Sequence, residues 1–112
     1  MEEPISIKQV KISNQFYESF GQIYDFGFDS FGYFQAERYK QIIRQSLDTL
    51  SVYYTAYPEC RHLATKSRKY RNIILDSHLI IYRITDQRIE VLYIIHSASS
   101  IGKIRQIRKI RL

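Results

Sequence analysis

Residues 70–97 read YRNIILDSHLIIYRITDQRIEVLYIIHS, and the reading of this stretch decides the fold. Three runs rich in β-branched and aromatic residues, 70–75, 78–85 and 88–96, are separated by Asp76-Ser77 and Asp86-Gln87. Such residues suit a pleated, packed surface, and two-residue separators between them signal hairpins even without glycine. The expectation is a three-stranded antiparallel meander. Alternation places Ile73 with Leu75 on one face; Leu79, Ile81 and Arg83 lie opposite Ile80, Tyr82 and Ile84. Both sets are largely apolar, so the sheet should be covered on one face and partly occupied on the other.

Upstream, Ile5 and Ile7, then Val10 and Ile12, alternate in opposite phases, which reads as a strand over 5–12 with a bulge near Lys8-Gln9. Ser13 or Asn14 can cap a helix over about 14–28, where Phe16, Phe20, Ile23/Tyr24 and Gly27 recur at helical spacing. Asp29-Ser30 offers a break. A second helix over roughly 31–53 carries the stripe Ala36, Tyr39, Ile43, Ser46/Leu47, Leu50 and Tyr53. The short connection makes the pair an antiparallel hairpin, and Tyr57-Pro58 ends it. Residues 59–69, with Cys60, His62 and the run Lys66-Ser67-Arg68-Lys69, read as an exposed loop.

In the tail 101–112, Ile101, Ile104, Ile107 and Ile110 step by threes among Lys103, Arg105, Arg108, Lys109 and Arg111. Two readings stand: a helix docked on the domain, or a basic amphipathic segment that engages a partner. Deleting 103–112 separates them, since loss of activity in a soluble chain marks a functional tail and aggregation a docked one.

The 112 residues fit one domain, 1–112, with 101–112 as its basic tail. One cysteine, Cys60, gives no internal disulfide framework and suits a reducing compartment. The acidic start Met1-Glu2-Glu3-Pro4 is not signal-like, and no apolar run is long enough to span a bilayer, so a cytoplasmic location without membrane association is expected. Charge is divided: residues 1–56 hold 5 Lys/Arg against 7 Asp/Glu, whereas 57–112 hold 12 against 4. The second half therefore suits an acidic or polyanionic partner, and Arg61, Arg68, Arg71 and Arg83 are its candidate contacts with the tail cations.

The order strand, helical hairpin, meander carries a set of spaced residues: Arg71, then His78-x-Ile80-x-Tyr82-Arg83, then Ile89-Glu90-Val91-Leu92, then Ile95-His96. This resembles the ParE/RelE toxin superfamily, and its ParE branch (the plasmid-stabilisation type) in particular; the likeness is densest over 70–97. The resemblance implies an α+β fold of order β-α-α-β-β-β, with the hairpin packed on a mostly antiparallel curved sheet. It also implies a type II toxin–antitoxin role with a cognate antitoxin as partner. ParE-like toxins inhibit DNA gyrase; RelE-like toxins cleave mRNA on the ribosome.

Metal-free RNA cleavage needs a proton acceptor, a proton donor and cations around the phosphorus. RelE-like enzymes supply these from the second and third strands and from an Arg and Tyr near the C-terminus. Here Arg71 fits one position, but the next alternate residue is Ile73 and the third-strand position is Leu79. His96-Ser97-Ala98-Ser99-Ser100 has no arginine, and no tyrosine follows Tyr93. The expectation is a gyrase-directed binding toxin rather than an enzyme, with RNA endonuclease as the alternative and a non-enzymatic nucleic-acid-binding module as the second. His96 with Arg71 and Arg83 remains the weak catalytic set; Cys60 is a weak nucleophile; His78 reads as structural. No metal site and no cofactor are expected. Self-association and a toxin–antitoxin hetero-oligomer are both left open. Replacing Arg71 and Arg83 together by alanine is expected to weaken partner binding without unfolding.

Overall fold

Ser13 ties the sheet to the helices. The computed structural model describes residues 6–112, so Ile5 of the expected first strand lies outside the described residues. Strand β1 (Gln9–Ile12) runs directly into helix α1 (Asn14–Phe31). The Ser13 hydroxyl accepts the Phe16 N–H at 2.9 Å as the helix cap and donates to the Leu92 carbonyl at 2.6 Å. No bulge repairs the phase change upstream. The strand begins at Gln9, and Lys8 leaves it to bond the Ser51 carbonyl.

Helix α1 continues through Asp29-Ser30, past the expected break, and stops at Gly32. That residue adopts φ +89°, open to glycine at little cost, and its N–H closes on the Phe28 carbonyl at 2.9 Å. Helix α2 (Tyr33–Asp48) follows at once. The expected single helix over 31–53 is interrupted at Thr49, whose hydroxyl bonds the Ser46 carbonyl and the Tyr57 hydroxyl, before the short α3 (Leu50–Tyr53).

The meander forms as β2 (Tyr70–Ile74), β3 (His78–Ile84) and β4 (Arg88–His96), all antiparallel, and β1 adds to β4 in parallel. The strand order is β1-β4-β3-β2. Ile81 pairs with Tyr93 and Tyr82 with Val91, so Leu92 is the extra residue of a bulge in β4. Beyond Val91, β1 has ended and α1 crosses instead. The Ser13 and Ser19 hydroxyls take the Leu92 and Ile94 carbonyls there, at 2.6 and 2.5 Å. Left unpaired in the core, each carbonyl would cost about 1–3 kcal/mol.

Ile80, Tyr82, Ile89, Val91 and Ile94 point at the hairpin and pack against Phe16, Ile43, Leu50 and Tyr54. The opposite face is also closed. Ile81, Leu92 and Ile95 are covered by Ile104 and Ile107 of the tail together with Cys60 and Leu63. The tail forms α4 (Ile101–Gln106), capped by Ser100, and a 3-10 turn at Ile107–Lys109. Residues 59–69 are thus not simply an exposed loop. Cys60 and Leu63 are buried, and the Cys60 N–H and Pro58 carbonyl bond to Tyr70 and Asn72, covering the outer edge of β2.

Candidate partner-binding site

One end of the sheet opens into a groove of about 740 Å³ where β2, the β3–β4 turn and the last residues of the tail meet. It is lined by Lys8, Arg68, Lys69, Arg71, Arg83 and Arg111, with Asp86 and Glu90 the acidic residues. Of the candidate contacts, it therefore gathers Arg68, Arg71, Arg83 and Arg111. Arg61, Arg105, Arg108 and Lys109 lie outside it, and Lys103 lines a different groove. Lys8 and Lys69 were missed by sequence reasoning. Lys8 stands 77 residues from the turn whose Thr85 and Asp86 carbonyls it bonds, both at 2.8 Å, and no local pattern announces such a meeting.

The bonding of each cation decides how much charge the groove presents. Arg71 donates to the carbonyls of Arg68, Thr55 and Tyr57 at 3.2, 3.0 and 2.9 Å. These acceptors are neutral, so its charge is held in place without being cancelled. Lys8 is held in the same way. Lys69 sits 5.5 Å from the centre of the Tyr70 ring. Arg68 is exposed, only 3.9 Å from Glu59, and takes φ +55°, an uncommon backbone state for a side-chain-bearing residue. A cluster of fixed, uncancelled cations suits carboxylates or phosphates.

Arg83 differs. It is 7% exposed, and its guanidinium meets the Glu90 carboxylate at 2.7–2.8 Å. It also donates to the Ile110 carbonyl at 3.1 Å and, more loosely, to the Arg108 carbonyl and the Tyr70 hydroxyl at 3.4 Å. Burial works to raise the Glu90 carboxyl and to lower Arg83. Their mutual bonds, with Arg88 at 2.7 Å from Glu90, win and keep both charged. Arg83 is thus an internal clamp rather than a surface cation. Replacing it together with Arg71 would disturb the fold, contrary to the expectation of clean binding loss.

A second groove, of about 520 Å³, runs between α1, β4 and the tail and is lined by Gln22, His78, Tyr93, His96 and Lys103 among others. His78 and His96 are cross-strand partners with ring centres 5.4 Å apart. The His96 Nδ1 accepts the Ala98 N–H at 3.0 Å, leaving Nε2 for other work. The His78 Nδ1 lies 2.6 Å from the Tyr39 hydroxyl, a tie to α2 rather than to a turn backbone. Burial, then the neighbouring His96, lowers the His78 pKa from its ordinary 6.5. The unfolded chain therefore binds that proton more readily, and stability must fall as the pH drops through and below 6.5. Urea unfolding at pH 7.5 and 5.5 should show a smaller loss for His78→Gln than for the unaltered chain; equal losses would refute this origin of the slope. Cys60 is buried, and that burial pushes its thiol up, away from nucleophilic use.

These features define a class: a small α+β domain whose sheet is clad by a helical hairpin on one side and by its own C-terminal segment on the other. The chain belongs to the ParE toxin family. The model for "ParE toxin of type II toxin-antitoxin system, parDE" matches residues 10–101, leaving most of the tail beyond it. Among solved structures, the chain is similar to one from the chromosomal ParDE toxin–antitoxin system of P. aeruginosa. That likeness has 16% identity and a TM-score of 0.67, and covers 81% of this chain and 97% of the other. It bears out the α+β, ParE/RelE-like architecture. No curated protein sequence matches the chain. Among the described residues, no helix is long and apolar enough to cross a membrane.

Proposed function

We propose that this toxin acts by binding a protein target, with DNA gyrase as that target, and that it is not a ribonuclease. The observation that carries the reading is the state of its two strand arginines. Arg71 is tied to three backbone carbonyls and Arg83 to Glu90 and the tail. Arg83 is thereby withdrawn from any scissile phosphate. Arg71, whose charge stays open to the groove, has Ile73 and Leu79 rather than basic residues at the neighbouring strand positions. The sheet face beside Arg83 is filled by Ile104 and Ile107, which leaves no bed for an RNA strand there.

Neutralisation falls to an antitoxin whose toxin-binding segment is acidic. Its carboxylates would pair with Lys69, Arg68 and Arg111 around the groove, where the charge of Arg71 and Lys8 adds to the field. A disordered segment that folds on docking loses chain entropy, which a long interface offsets.

The decisive experiment incubates the purified chain with gyrase and relaxed plasmid, and in parallel with ribosomes translating a defined mRNA. Supercoiling should stop while the message stays intact. Cleaved message with normal supercoiling would overturn the proposal.

A further inference from the structure

The helical hairpin carries a feature that neither groove uses. The residues that α1 buries, Phe16 and Ser19, lie in its first half, against the sheet. Its far end and the start of α2 expose Phe26, Phe28, Phe31, Tyr33 and Phe34; three of these, Phe26, Phe31 and Phe34, are 68%, 69% and 86% exposed. Phe28, Tyr33 and Phe34 stack edge to face with ring centres 5.6–6.5 Å apart. With about 200 Å² per aromatic side chain, the five leave roughly 600 Å² of aromatic surface in water. Spread around the tip, that is about three-quarters of the area one partner contributes to a standard interface.

The charges beside the tip say what covers it. Helix α1 carries Glu18, Asp25 and Asp29 and no basic residue. Helix α2 carries Arg38, Lys40 and Arg44 against Glu37 and Asp48. The Glu37 carboxylate beside the tip is already taken by the Tyr24 hydroxyl of α1, which leaves Arg38 as the exposed charge there. A two-fold axis at the tip sets α1 of one copy against α2 of the other, so every attraction occurs twice, whereas pairing like helices would oppose like charges. We infer that the aromatic hairpin tip is a self-association surface, and that two copies of this chain pair there with Asp29 of one facing Arg38 of the other.

Sedimentation velocity on the purified full chain tests this. The unaltered chain should be dimeric at micromolar concentration, and raised salt should weaken the dimer. Phe31→Ser with Phe34→Ser removes exposed rings that the core does not use; the dissociation constant should rise about a hundredfold with circular dichroism and melting unchanged. Asp29→Arg should weaken pairing, and adding Arg38→Asp should restore it. A monomeric unaltered chain, or a dimer indifferent to the Phe changes, would overturn the inference. So would failure of the charge swap to restore pairing. A tip that is free in solution but lost on adding an antitoxin peptide or neutral vesicles would also overturn it, assigning the patch to that partner.

Discussion

Arg83→Met is expected to destabilise the fold by about 3–5 kcal/mol, the range for stranding one partner of a buried ion pair. Whole domains of this kind hold only about 5–15 kcal/mol, so the loss is a large share. Three effects add. Glu90 keeps Arg88 but loses the more buried of its two cations, both at 2.7 Å; the Ile110 carbonyl loses a donor; and the tail loses its tie to β3. The pH dependence follows from the carboxyl. The folded-state pKa of Glu90 is held below its ordinary 4.5, so the pair's contribution is present above that value and fades as the pH falls through the lowered one. Arg83→Met with Glu90→Leu should recover most of the stability, because hydrophobic replacement of both partners removes the stranded charge. Hydrogen exchange over 107–112 should still be faster in the double variant, since the carbonyl bonds are not restored. Urea unfolding gives the first result; a loss for Arg83→Met below about 1 kcal/mol would refute the clamp.

Deleting residues 103–112 should produce an insoluble chain. The deletion removes Ile104 and Ile107 from a cluster with Ile81, Leu92 and Ile95, and burial of two such side chains contributes about 3–6 kcal/mol. It also bares Arg83 and Glu90 at the sheet end. Truncation therefore reports on folding and says little about toxicity. The sharper variant keeps the isoleucines and reverses the exposed charges: Arg105→Glu, Arg108→Glu and Lys109→Glu. That protein should melt as the parent does and lose growth inhibition when induced. Retained toxicity would show that the outward face of the tail is dispensable. A soluble, cooperatively folding truncation would refute the docked role.

The strands, the hairpin and their order were legible because each depends on local rules. Period-two alternation, Asp76-Ser77 and Asp86-Gln87 as turns, and Ser13 as a cap act within a few residues. Even the helix break failed only by reaching for Asp29-Ser30 rather than Gly32, three residues from where the backbone requires φ +89°. Cys60 shows the opposite case. Its immediate neighbours in sequence are polar and charged, yet it shares one buried cluster with Leu63 three residues on and with Tyr70 and Ile104 from further along the chain.

By itself, the sequence determined the α+β class, the resemblance to ParE toxins and the basic character of the second half. What only the tertiary structure decided is which charges remain available. Arg71 and Arg83 look alike on adjacent strands, but one keeps its field because carbonyls hold it and the other is neutralised by Glu90. Charge is a property of a residue, whereas its cancellation depends on a partner brought near by folding, and that pairing is not encoded within any short stretch of chain.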